Sequence, residues 1–560
     1  MNKKYFVFIA AAVLIIAAAA ISSCKKDKEP EKPKTVKVDT QTGTMRAGQP
    51  DAVTFAVTTE NIGNGEYDAS MANMPAGVNV QGKVTIASGS GTLTLVGSTA
   101  TVAGAFSSLK LTLGGVTSKE FTLTIGDAIN LTVNVEEIIF PILESAAEKT
   151  FDITCNTAWS IDIGSGSAWC DASKTSGAST GTGKEIIRLT TKSANSSYED
   201  RKFTLKVTAG SIVRSINVIQ PYDPGNGTPA RPYKVYDVAT LQKIGSNAEW
   251  SLARTYRQMA DINLEEVDSW TPIGTLANRF TGTYHGDGYT ISNLKINTTG
   301  DYKGLFGFIG TLGMVRNIAL TNVDITDGNN FIGGIAGASE GIIQNCYVTG
   351  AVNGNSLVGG VTGVVTSNAN AKVENCYTTC NITSPATAGE SYTGGIVGGI
   401  ELGGVIQNCY ATGNVINNRA GGGGLFLRAG GVVGRCVAPS KLVNSVALNK
   451  EVRVATVTTN SLAGRVGGSL PSDPVTEYNN CYGREGMLLT IGIVNVPINS
   501  STSSMSGFNL TPAIYNVASN WSDGAKFPTA QWSFADNRLP HLKTTDGGEF
   551  KNPQNPTVTP

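Results

Sequence analysis

Histidine is nearly missing from this chain: among 560 residues there are two, His285 and His541. Neither belongs to an HExxH pattern, so the usual zinc-peptidase ligand set cannot be assembled. CxxC and phosphate-cradling loops are also absent, which removes the common thiol-redox and nucleotide signatures, and a Ser-His-Asp set would need one of these two histidines. Charge is scarce as well. Charged residues make up 15 % of the chain, and 43 basic residues balance 43 acidic ones. Without a clustered basic excess there is no electrostatic footprint for nucleic acid. Cysteine does not occur between Cys24 and Cys155, and beyond the first 20 residues no apolar run is long enough to span a bilayer. What is abundant is glycine, 66 residues, alongside Thr, Asn and Val. That is the composition of an extracellular β protein with many tight turns, and the length exceeds what one core can organise.

The N-terminus reads as an address rather than as fold. Lys3 and Lys4 precede an apolar run at 5–20, and Ile21-Ser22-Ser23-Cys24 follows, then charge. This resembles the lipobox of a bacterial lipoprotein. The resemblance implies that residues 1–23 are a signal peptide and that Cys24 carries diacylglycerol. An ordinary secretory signal with an accidental cysteine is the alternative. Residues 24–34 (KKDKEPEKPK at the core) form a charged tether with nothing to pack. The acyl chains would then be the membrane attachment, placing the chain on the outer membrane, facing the outside or the periplasm.

Residues 35–127 read as short strands (TVKVDT, AVTFAVTT, GKVTIAS, GTLTLVGS, LKLTLGG, KEFTLTIG) separated by Gly, Ser and Asn. Such spacing predicts an Ig-like antiparallel sandwich, with MPAGVNV as an edge strand. Residues 128–222 predict a second sandwich. Its marks are Asn156, Trp159, Trp169, Gly177, Arg201 and Gln220, set in FDITCNTAWSIDI, SAWCDASKTSG, YEDRKFTLKV and SIVRSINVIQP. These resemble the BACON domain, which implies a spacer or a carbohydrate-contacting module. Both tryptophans lie on alternating strands and are expected in the core. Cys155 and Cys170 could form a bridge, since spacing alone does not decide geometry. Residues 223–232 are a Pro/Gly linker by composition.

The second half is repetitive. Asn-Cys-Tyr begins at Asn345, Asn375, Asn408 and Asn480, with Asn-Ile-Ala from Asn317 and Asn-Ser-Val from Asn444. The starts are 28, 30, 33, 36 and 36 residues apart, and a Gly-Gly-x-x-Gly-like element keeps step. A period of this size with little helix-forming sequence predicts stacked β coils. The crossover rule makes them a parallel, right-handed β-solenoid over 233–485. A strand period of two turns Cys346, Cys376, Cys409 and Cys481 inward as reduced, buried thiols. It turns Ile318 and Leu320 inward also, and Ala319 outward. Each asparagine sits at a bend, able to bond the asparagine one coil above. Cys380, in place of a corner glycine, and the Asn444 unit, lacking Cys-Tyr, predict two irregular coils. A helix at 237–244 with Asp237 as N-cap should close the start. Residues 486–550, with Trp532, Phe534, Pro540 and Leu542, should close the last coil, leaving 551–560 as a disordered tail. In sum the fold class is all-β: two sandwiches, then a solenoid with small helical caps.

The repeats and the segment before them (PYKVYDVATLQKIG, then FTGTYHGDGYTISNLKI and KGLFG) resemble the GLUG-repeat proteins, adhesin-like bacterial surface proteins. That resemblance implies a binding protein that presents its solenoid to a glycan or glycoprotein. Some of that family are zinc peptidases that cut IgA, but their metal motif is missing here. Tyr347, Tyr377 and Tyr410 should stand outward in register. They either stack to stiffen the sheet or offer ring faces to a polysaccharide. Asp324 and Asp327 are the nearest approach to a lyase-type acidic pair, too few for a calcium site. The expectation is therefore a monomeric adhesin-like protein with no catalytic residues, metal or cofactor. The rival readings are a polysaccharide-degrading β-helix enzyme and a structural or accessory subunit of a glycan-capture system.

Overall fold

The computed structural model describes residues 32–558, apart from 143, 182, 367–369, 386, 438, 470–475 and 554. The leader, Cys24 and most of the tether lie outside the described residues. The chain divides into two compact units at the step from Asp223 to Pro224.

The first unit holds two sandwiches. In the first, Thr35–Thr42, Ala52–Glu60, Ser90–Val96 and Asn79–Val80 form one sheet, with the short MPAGVNV strand at its edge. Gly104–Leu113 and Phe121–Gly126 centre the other. Alternate residues of Ala52–Glu60 (Val53, Phe55, Val57) are buried, and Phe55 meets Phe121 edge-on at 5.0 Å. In the second sandwich Trp159 and Trp169 are buried among Phe151, Phe203 and Leu205, so they fill a core. Cys155 and Cys170 are both buried and unpaired. Burial, chiefly, and the neighbouring Asp171 carboxylate raise the Cys170 thiol to about 11.

The second unit is a coil of parallel strands. Nine strands stack in chain order from Tyr233–Val235 to Thr476–Asn479. Five more stack from Phe306–Ile309 to Val433–Cys436, and a longer sheet closes the coil. One inward column of the nine-strand sheet runs Tyr233, Tyr256, Tyr284, Val315, Ile343, Val373, Ile406, Leu442, Tyr478. The early coils are thus filled by large rings and the middle coils by aliphatics and Cys346, Cys376 and Cys409. At the Gly-Gly corners successive coils touch backbone to backbone: a Cβ on Gly359 would lie 2.7 Å from the amide nitrogen of Gly398. Gly350 sits at φ +124°, where other residues are strained.

Three departures from expectation have physical causes. Residues 224–232 are not a loose linker, because Lys234 N donates to Pro224 O at 3.0 Å and Asn226 N to Arg231 O at 2.9 Å. The Asn444 coil is regular: Ser445 takes the inward cysteine place, and Val446 pairs with both Tyr410 and Tyr482. Cys380 likewise fits its corner, buried, with its amide donating to Thr378 Oγ1. In the AGRVG element Arg465 is wholly buried. It donates to Ser506 O, Gly483 O, Arg484 O, Gly507 O and Asn509 Oδ1 at 2.7–3.1 Å. Burial pulls its pKa down to about 10, with the Glu485 carboxylate opposing.

The start is closed as expected. The helix Val238–Gln242 has Asp237 as N-cap, accepting from Thr240 N in a capping box. Leu241, Ile244 and Trp250 cover the first coil, and Trp250 stacks on Tyr233 at 4.4 Å. The segment after the last coil behaves differently and defines the first candidate face.

Candidate binding faces

At six successive coils an asparagine takes left-handed backbone angles: φ is 56°, 52°, 50°, 54°, 48° and 54° at Asn317, Asn345, Asn375, Asn408, Asn444 and Asn480. Asparagine tolerates this region because its short amide bonds locally. Here the amides bond one another. Asn375 donates to Asn345 (3.3 Å), Asn408 to Asn375 (3.1 Å), Asn444 to Asn408 (3.0 Å) and Asn480 to Asn444 (2.9 Å). The next residue turns inward, so all four repeat cysteines lie in the interior as free thiols. Burial pushes Cys481 up to about 12 and holds Cys346 and Cys376 well above the ordinary thiol value.

The residue after that leaves the interior. Ala319, Tyr347, Tyr377, Tyr410, Val446 and Tyr482 form one paired column. Tyr347, Tyr377 and Tyr410 stack at 4.9 Å per step, with rings 13° and 3° from parallel. Their direction is as expected, but they are not a sugar platform. All three are at most 1 % exposed, because residues 511–552 lie back along the coils and cover them. Trp532 packs on Tyr377 and Tyr410, Trp521 and Phe527 on Tyr410, and Phe550 on Tyr347. Tyr410 Oη donates to Pro540 O (2.6 Å) and Tyr347 Oη to Asn552 O (2.8 Å). The segment therefore straps the side of the solenoid rather than capping its end. Asn552, expected in a disordered tail, is held by Asp261 and Thr290.

The strap also borders the histidines. His285 Nδ1 faces Asp287 Oδ1 at 2.5 Å, and Arg257 Nε donates to Asp287 Oδ2. Burial alone would lift the Asp287 carboxyl, but these bonds outweigh it and hold it below its usual value. The other nitrogen, Nε2, is met by Asn317 Nδ2 at 3.1 Å, which occupies the lone pair a general base would use. His541, in the strap, has its pKa lowered by burial and by Arg538. Asp324 and Asp327 are exposed on the strand Ala319–Gly333. Among the described residues no three acidic, His or Cys groups converge on a metal position.

A second face went unread in the sequence. Two places before each glycine corner stand Tyr302, Phe331, Leu357, Tyr392, Arg428 and Leu462, beside the paired column Ile332, Val358, Thr393, Ala429 and Ala463. Tyr302 and Phe331 are half-buried and stack at 4.7 Å, 6° from parallel. Arg279 lies 4.4 Å over Phe308, Arg428 5.0 Å over Phe426 and Arg435 4.9 Å over Tyr392. Arg279 Nη1 also bonds both oxygens of Glu340 at 2.7 Å. Tyr302, Phe331 and Leu357 have φ of 57°, 63° and 53°, strain of about 1–3 kcal/mol each for bulky residues. The signal was a large residue at a fixed offset from Gly-Gly, hidden because its type changes from coil to coil.

Residues 389–416 match the GLUG motif. They carry the Gly394 corner, Asn408, Cys409 and Tyr410, so the GLUG motif is one turn of this coil. A 156-residue stretch is 40 % identical to halomucin of Haloquadratum walsbyi, covering 26 % of this chain and 2 % of that protein. A 136-residue stretch is 35 % identical to a Gly-rich membrane protein of Evansella cellulosilytica, covering 22 % of this chain and 15 % of that one. The chain thus spans a small part of either relative. Among solved structures, an endo-fucoidan hydrolase of glycoside hydrolase family 107 aligns at 14 % identity and a TM-score of 0.18, over 36 % of this chain and 33 % of that one. Titin domains Z1Z2 in complex with telethonin align at 12 % and 0.13, over 33 % and 95 %. Scores this low carry no argument.

Proposed function

We propose that this is a lipid-anchored, surface-associated protein of the cell envelope whose solenoid contacts glycan or glycoprotein without catalysis. A GLUG turn, and stretches shared with proteins named as a halomucin and a membrane protein, support the surface setting. The observation that carries the binding role is the Tyr302–Phe331 stack, half-exposed and held by strained backbone beside Arg279 and Glu340. Ring faces with adjacent charged hydrogen-bonding groups suit sugar contact, whereas the tyrosine column is covered. The test is a glycan array with the wild-type chain and with Phe331→Ala. Binding that falls at least about tenfold in the variant, a loss of about 1.4 kcal/mol, supports the reading; no binding to any glycan removes it. Reducing-sugar release from a polysaccharide panel, lost on Asp324→Asn, would replace it with the enzyme reading.

A further inference from the structure

The strap is held by a row of side-chain donors that reach main-chain carbonyls. Asn345 Nδ2 donates to Lys543 O (2.9 Å), Tyr347 Oη to Asn552 O, Tyr410 Oη to Pro540 O, and both Asn480 Nδ2 and Tyr482 Oη to Gly524 O (3.1 Å each). None of these bonds depends on the identity of the strap residue. Selectivity comes instead from ring spacing. The tyrosines repeat every 4.9 Å, and Trp532 bridges two of them while Phe550 takes the third. The fit is also incomplete. Tyr377 Oη, in the middle of the column, is buried with no hydrogen-bond partner, and so are Trp532 Nε1 and His541 Nδ1 on the strap. Each such orphan destabilises the seated state, which lowers the cost of release.

The geometry points to a docking groove for an extended polypeptide, with the strap as an exchangeable occupant. Its partner in trans is the same segment of a second copy of this chain. Any other polypeptide would have to reproduce the spacing of Trp521, Phe527, Trp532 and Phe550, whereas a second copy has it by identity. Exchange of an identical element between copies makes no new contact and costs little. Copies gathered on one surface would thereby be linked side to side, independently of any glycan.

The test mixes two full-length chains carrying different tags, warms them to loosen the strap and returns them to the cold. A fluorescent peptide of residues 511–552 serves as a free occupant. The expected result is a doubly tagged species, saturable binding of the peptide to the full chain, and loss of the doubly tagged species in excess peptide. Failure of both mixing and peptide binding overturns the proposal. A doubly tagged species that survives excess peptide overturns it also, because association then lies elsewhere. Neither outcome bears on the glycan array.

Discussion

At the scale of single residues the asparagine ladder sets the rule for each coil. Asn408 donates to Asn375 and accepts from Asn444, so its loss orphans a buried acceptor and a half-buried donor. Asn408→Ala also forces an alanine to φ near 54°, at about 1–2 kcal/mol. Denaturant melts should show Asn408→Ala costing about 3–5 kcal/mol, with Asn408→Gly recovering about 1 kcal/mol of that by relieving the backbone alone. A ladder without energetic weight would leave both variants near wild type. The thiols make a second prediction. Cys170, Cys380 and Cys481 are raised from 9.0 to about 11, 12 and 12. The unfolded chain releases these protons first, so it binds fewer protons than the native state above pH 9, and stability falls as pH rises. The slope is up to about 1.4 kcal/mol per pH unit for each such group. Urea midpoints across pH 8–11 measure it, and a thiol reagent at pH 8 should label the buried cysteines only after unfolding. The ladder and the inward Cys481 were legible beforehand, because a fixed triplet and a strand period of two give the side of each repeat residue; Cys380 and Cys170, outside the triplet, were not.

At the scale of elements, repetition is legible and its covering is not. The tyrosines' outward direction followed from alternation, but Tyr410–Pro540, Tyr347–Asn552 and Asn317–Thr545 are 130, 205 and 228 residues apart. The strap has no repeat of its own, so nothing local links it to the column. Its weight can be measured. Trp532→Ala removes a ring that packs on Tyr377, Tyr410 and Phe527 and should cost about 3–5 kcal/mol. Hydrogen exchange should then rise along residues 511–552 before it rises in the coil interior. Arg465 is the other element-level device, a single side chain tying residues 506–509 to the last coils. Arg465→Met, which removes a buried donor shared by five oxygens, should lose at least about 3 kcal/mol by thermal melting. A conserved melting temperature would mean that the loop finds other donors.

At the scale of the whole molecule, each solenoid coil touches its neighbours, so coil stability adds by nearest-neighbour terms. The sandwich unit has separate cores of its own. Calorimetry of the full chain should therefore give two transitions, and Gly359→Ala, which forces a Cβ against the next coil, should shift only one of them. The Pro/Gly-rich composition after Gln220 marks the place where the two units divide, between Asp223 and Pro224. The early coils, from Tyr233 to Ile309, were less readable, because they use large aromatic fillers in place of the Asn-Cys-Tyr signature.

The strap follows every coil in the order of synthesis. A nascent chain must therefore complete its spiral with three tyrosine rings still wet, and residues 511–552 dry them only afterwards. Resistance to proteases would then depend on a segment made only after the coils it covers.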